Sequence, residues 1–155
     1  MKKSAFSLLI LMCSLFASCT QEPEQPEECC DTFDFSQDAA FSGTWRVFEY
    51  GYSPGAGYIV EPVAADPAQL LTLGTDGSFS SNYGALSEYK YYELLDDPQS
   101  DNRILALFTE YTEHPDTDNL EQSYSVTVTD RGVSLSYRWC FEGCHIGIRK
   151  VSVTD

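Results

Sequence analysis

Gln69-Leu70-Leu71-Thr72-Leu73-Gly74-Thr75-Asp76-Gly77-Ser78-Phe79-Ser80-Ser81-Asn82-Tyr83 decides the fold. Two short runs that suit a pleated surface flank Gly74-Thr75-Asp76-Gly77, where Asp and Gly tolerate the backbone of a tight hairpin turn. Similar runs, rich in Val, Ile, Thr, Tyr and Phe, lie on both sides. One precedes the hairpin at residues 44–52, and five follow at 88–95, 103–111, 122–129, 133–139 and 145–153. Turn residues separate them, including Asp96 to Asn102 and Asp130-Arg131-Gly132. Helix signals are scarce. Eight strands in sequence, joined mainly by short connections, predict an all-β, up-and-down antiparallel sheet. A sheet of that size leaves two exposed edges unless it closes. Eight strands close into a barrel that is filled or holds one small ligand. A sandwich would need longer crossings.

The chain has 155 residues, with 9 basic and 24 acidic side chains, a net charge of −15. Residues 1–18 read as a leader. Without Lys2 and Lys3, seven basic residues face 24 acids, a balance of −17. Such a chain repels polyphosphate and a basic membrane-surface mode is excluded, so no nucleic-acid partner is expected. An aromatic content of 14% is too rich for an acidic disordered protein, so a packed core is expected. The expected organisation is a signal peptide at 1–18, an acidic tether at 19–40 and one β-domain at 41–155.

Lys2 and Lys3 form a positive start, and the apolar stretch 5–17 is too short to span a bilayer. Leu15-Phe16-Ala17-Ser18-Cys19 then resembles the lipobox of bacterial lipoproteins, with Phe16 standing where an aliphatic residue is usual. The resemblance implies that Cys19 is lipidated and becomes the mature N-terminus. Acyl chains, at about 0.8 kcal/mol per buried methylene, then hold the protein on a membrane. The expected address is the cell envelope, at the outer membrane. Thr20 to Glu28 carries four glutamates, two prolines and no apolar residue, and reads as a solvated tether. Its acidic residues resemble a surface-export signal, and equally suit a plain charged spacer.

Cys29, Cys30, Cys140 and Cys144 remain for an oxidising compartment. A disulfide between Cys140 and Cys144 is favoured, because Gly143 permits a sharp turn. Cys29 or Cys30 reaching the same loop is the rival pairing. The C-C and C-x-x-x-C spacings do not match paired zinc ligands, so no metal is expected.

Gly43-Thr44-Trp45 opens the first strand. With the acidic spacer, the long first loop, the D-G hairpin and Cys140-Phe141-Glu142-Gly143-Cys144, it resembles small bacterial lipoproteins with a lipocalin-like, calycin-type barrel. The resemblance implies that Trp45 plugs one end, with a basic residue of the last strand across it. Arg149 is favoured over Lys150 for cation–π attraction.

In a meander, the end opposite Trp45 gathers the two longest loops, 53–68 and 112–121, so a closed floor and an open mouth are expected. Tyr52, Tyr58, Tyr83, Tyr89, Tyr111, Trp139 and Phe141 lie near that mouth. Tyrosine pairs an apolar face with a polar tip, which suits a half-wet site. The glycines of 53–58 make that loop a candidate lid. Strict alternation from Trp45 sends Glu49 inward; a structural hydrogen bond or a bulge turning it outward is the preferred reading. His114 and His145 sit in no catalytic motif. Asp116, Asp118 and Glu121 lack the remaining features of a calcium loop. Asp96 and Asp97 are poorly spaced for glycosidase chemistry. The expectation is a non-catalytic protein without a cofactor. It binds a small apolar or amphipathic ligand at the mouth, or, as the alternative, engages an envelope protein through a filled barrel and an aromatic loop patch.

Overall fold

A computed structural model describes residues 38–113, 115, 120, 122–141 and 143–151. The predicted leader, residues 19–37 of the predicted tether with Cys19, Cys29 and Cys30, and His114, Asp116, Asp118 and Glu121 lie outside the described residues.

Among the described residues nine strands form one antiparallel sheet: β1 (Gly43–Tyr52), β2 (Ile59–Pro62), β3 (Leu70–Leu73), β4 (Phe79–Ser81), β5 (Tyr91–Asp96), β6 (Arg103–Phe108), β7 (Gln122–Thr129), β8 (Gly132–Tyr137) and β9 (His145–Lys150). Their order is β4-β3-β1-β9-β8-β7-β6-β5, with β2 added beside β1. Apart from β2, this is the predicted meander with its first and last strands paired. The seam between β4 and β5 is held by a single bridge, Ser78 with Tyr91. Two backbone bonds flank it, Phe79 N–H to Lys90 O at 2.7 Å and Tyr92 N–H to Gly77 O at 2.8 Å. The Tyr92 hydroxyl also crosses the seam to the Gly74 carbonyl at 2.9 Å. The barrel is therefore nearly closed, and the seam is its thinnest line. Gly77, at φ 80°, supplies the left-handed residue the Gly74–Gly77 turn requires.

The bore is filled. Trp45, Val47, Leu71, Leu73, Phe79, Leu105, Leu107, Tyr124, Val126, Val133, Leu135, Ile146 and Ile148 form one buried cluster. Each fully buried aliphatic side chain contributes roughly 1.5–3 kcal/mol. Trp45 is fully buried and donates its indole N–H to the Phe41 carbonyl at 2.8 Å. Phe41 follows the 3-10 turn Asp38–Ala40 and joins the same cluster.

Arg149 does not lie across Trp45. Lys150 does, with Nζ 5.7 Å from the ring centroid and a 3.1 Å hydrogen bond to Ala40 O. Register is the reason: Trp45 pairs directly with Lys150. Ile146 and Ile148 point inward, so alternation sends Arg149 outside, where it stacks on Phe48 at 4.9 Å.

A bulge in β1 settles Glu49. Val47 pairs with Ile148, yet Glu49 already pairs with Gly147, so one residue is extra. Beyond this point the inward positions are even-numbered, and Tyr50 packs on the core opposite Ile146. Phe48 and Glu49 share the outer face, as a bulge requires.

A second cluster lies on the outer wall. Ile104, Ala106, Phe108 and Leu120 are buried there, with Tyr91 and Leu95 packed against them.

Candidate functional site

Among the described residues, side chains fill the end opposite Trp45. The connection from β4 to β5 forms a 3-10 turn, Gly84–Glu88, which buries Leu86 in the core cluster. Tyr50, Tyr83, Tyr89 and Tyr137 pack against that cluster, which itself includes Tyr124. The expected mouth is therefore stoppered by an aliphatic side chain and phenol rings. Burial raises the Tyr83 hydroxyl and lifts Tyr124 to about 12.

Above this stopper, β1 and β2 make a two-stranded lip. Residues Glu49 to Tyr52 pair with Pro62 to Ile59. The lip has two differently built faces. On the concave face Glu61 lies opposite Tyr50. Its carboxylate accepts the Tyr50 hydroxyl through one oxygen and the Tyr52 hydroxyl at 3.1 Å through the other. The two rings stack at 5.8 Å and 14°. The hydrogen bond to the Glu61 carboxylate, with smaller help from burial and charge, raises Tyr50 to about 12, and the same bond raises Tyr52. A carboxylate opposes ionisation of a phenol that donates to it.

On the convex face Tyr58 bonds the His145 imidazole through Nδ1 and stacks on it at 5.7 Å. His145 Nε2 meets Glu49 at 3.5 Å, and Arg131 reaches the same carboxylate at 2.9 Å. Glycines make this chain possible. A Cβ on Gly51 would overlap the His145 ring and the Tyr58 hydroxyl, and one on Gly147 would meet Glu49 Cγ at 2.6 Å. The chain ties the 53–58 segment to β9 and the β7–β8 turn, so the expected lid is pinned by its last residue.

Beside the lip stands the β8–β9 loop, closed by a disulfide between Cys140 and Cys144 with Cα atoms 5.7 Å apart. A Cβ on its Gly143 would lie 3.4 Å from the Tyr58 ring. Trp139 is 53% exposed, Phe141 100% and Tyr58 51%. Ile59 and Val60 are exposed next to them. Large apolar groups gathered this way on one rim are unusual for a surface that only faces water.

The seven aromatic candidates thus separate. Tyr52, Tyr83 and Tyr89 lie at the stopper and the concave face. Tyr58, Trp139 and Phe141 form the exposed rim. Tyr111 stands apart on the outer wall, 71% exposed and edge-on to Tyr91. It borders an open depression of about 330 Å³, with Asp76, Tyr91, Glu93, Phe108 and Glu113 among its lining residues. The loop carboxylates are engaged elsewhere: Asp96 pairs with Arg103 at 3.2 Å. Asp97 accepts the Gln99 N–H and the Ser100 hydroxyl, which hold it below the usual carboxylate range.

Sequence reading missed Glu61 and Leu86. Both fall in connections read as loops; the one available signal for β2 is the short β-prone run Tyr58-Ile59-Val60, two residues before Pro62. Nothing local marks Leu86. No family model, curated protein or solved structure matches the chain.

Proposed function

We propose that the chain is a non-catalytic interaction module of the cell envelope, lipid-anchored at Cys19, which docks a partner protein through the rim formed by Tyr58, Ile59, Val60, Trp139 and Phe141. The lipobox-like Leu15 to Cys19 supports the anchor, and the acidic stretch after it supports a display role beyond the membrane surface. One observation carries the docking reading: the bore is packed at both ends, while the largest aromatic side chains of the rim face solvent on braced supports. Buried aromatic anchors dominate protein interfaces, and rigid ones lose little freedom on binding. A small apolar ligand in the mouth is the weaker reading, because Leu86 and the tyrosines occupy that volume.

Pull-down from envelope extracts with the wild type, Tyr58→Ala and Trp139→Ala tests the rim. Trp139→Ala should reduce recovery of a specific partner by about tenfold or more, as hot-spot tryptophans do. Because the indole is half exposed, stability should change by no more than about 0.5 kcal/mol. Unchanged recovery in both variants rejects the rim. A Cys19→Ser variant should lose its acyl mass and leave the membrane fraction; retention there rejects the anchor.

A further inference from the structure

The lip offers two features that point to the chemistry of the partner. First, among the described residues β2 pairs with β1 alone. Its other edge presents backbone donors and acceptors to any extended chain that fits. Second, the concave face places one carboxylate among phenols. Glu61 accepts two hydroxyls, whereas an ionised carboxylate has about four acceptor sites. No basic side chain is paired with Glu61 among the described residues. The stacked Tyr50 and Tyr52 rings beside it offer the negative faces that attract a cation.

We infer that the outer edge of β2 takes up an extended, basic segment of the partner protein as an added strand, with a lysine or arginine seated on Glu61. The inference rests on the partner-binding reading of the rim and narrows it to one strand. Charge selects the occupant: 24 acidic residues against 9 basic ones favour a basic chain. A second copy of this protein is disfavoured, because its own β2 carries Glu61 to the same edge. Pro62 has no N–H to give and ends the ladder, so the added strand is short. Tyr58 with His145, and Arg131 with Glu49, hold the lip in place before anything binds, so little ordering opposes the addition.

The test titrates the intact protein with a blocked peptide of alternating lysine and valine, followed by backbone amide shifts. Saturable shifts should centre on Ile59, Val60 and Glu61. The same peptide with glutamate for lysine should cause none. A version with alternate backbone nitrogens methylated should bind at least about tenfold more weakly, because it cannot complete the ladder. Glu61→Gln should weaken the lysine peptide by about tenfold, the loss of one charge-assisted contact. Its amide spectrum away from β2 should match the wild type, which separates lost binding from lost folding. Equal binding to Glu61→Gln, equal binding of the methylated peptide, or no saturable shift at millimolar peptide overturns the inference. If it falls while Trp139→Ala still abolishes partner recovery, the rim stands and only the added strand is lost. If the peptide binds as expected but Trp139→Ala changes nothing, the edge stands and the aromatic rim is lost.

Discussion

The two ends of this barrel use the same kind of residue in opposite ways. At the floor, Trp45 is fully buried, its N–H is satisfied by Phe41 O, and Lys150 lies across its face. At the rim, Trp139 and Phe141 stand in solvent on a loop closed by Cys140 and Cys144. Connection length accounts for the contrast. Short turns such as Gly74–Gly77 and Asp130-Arg131 join strands at the floor, so strand residues themselves close it. Longer connections meet at the rim, and each turns its own side chains in or out. One turns Leu86 inward; another holds Trp139 outward. The lesson is that aromatic content near a barrel end does not reveal a pocket. Loop geometry decides whether those rings fill the bore or face a partner.

Three perturbations test this contrast. The largest effect is expected at the floor. Trp45→Ala removes the plug and its hydrogen bond, and should cost about 4 kcal/mol in denaturant unfolding. Leu86→Ala at the other end should cost about 2 kcal/mol, because a 3-10 turn at the rim can settle into the vacated space more readily than a strand. Equal losses would mean that the two ends are closed in the same way. The smallest effect is a titration. Tyr50 is raised from 10.0 to about 12 by its bond to Glu61, so the folded state holds that proton more tightly than the unfolded chain. Its stabilising contribution is complete below pH 10 and is lost as pH rises towards about 12. Phenolate absorbance should therefore show a late-titrating tyrosine that moves back towards 10.0 in Glu61→Gln. A titration unchanged by that substitution would remove the concave-face bond from the account.

Some elements were legible because their signals are local. Gln122–Thr129 alternates and ends at Asp130-Arg131-Gly132, and β7 occupies those residues. The Gly74–Gly77 hairpin and the pairing of the first and last strands follow from turn chemistry and from the need to remove edges. The plug at Trp45 was legible only through the resemblance carried by Gly43-Thr44-Trp45 at the start of the first strand. Other features were not. Whether Arg149 or Lys150 faces the indole depends on β9 register, which no neighbouring residue announces. The bulge beside Phe48 puts one extra residue into β1 and thereby decides the side taken by Glu49, Tyr50 and Tyr52. Strand β2 lies within 53–68, which reads as one long loop, and its Pro62 is compatible with pairing because that strand lies at an edge.

Alternation and turn residues, read along the chain alone, determined an all-β meander and the order of the eight strands they marked. They suffice because side-chain facing in a strand has a period of two and because tight turns need particular backbones. Only the tertiary structure decided that the far end is filled, that Lys150 covers Trp45, and that Glu61 sits between two phenols on a lip pinned by His145 and Glu49. Those outcomes depend on contacts between residues far apart in sequence, and a one-residue bulge is enough to reverse which face each side chain takes.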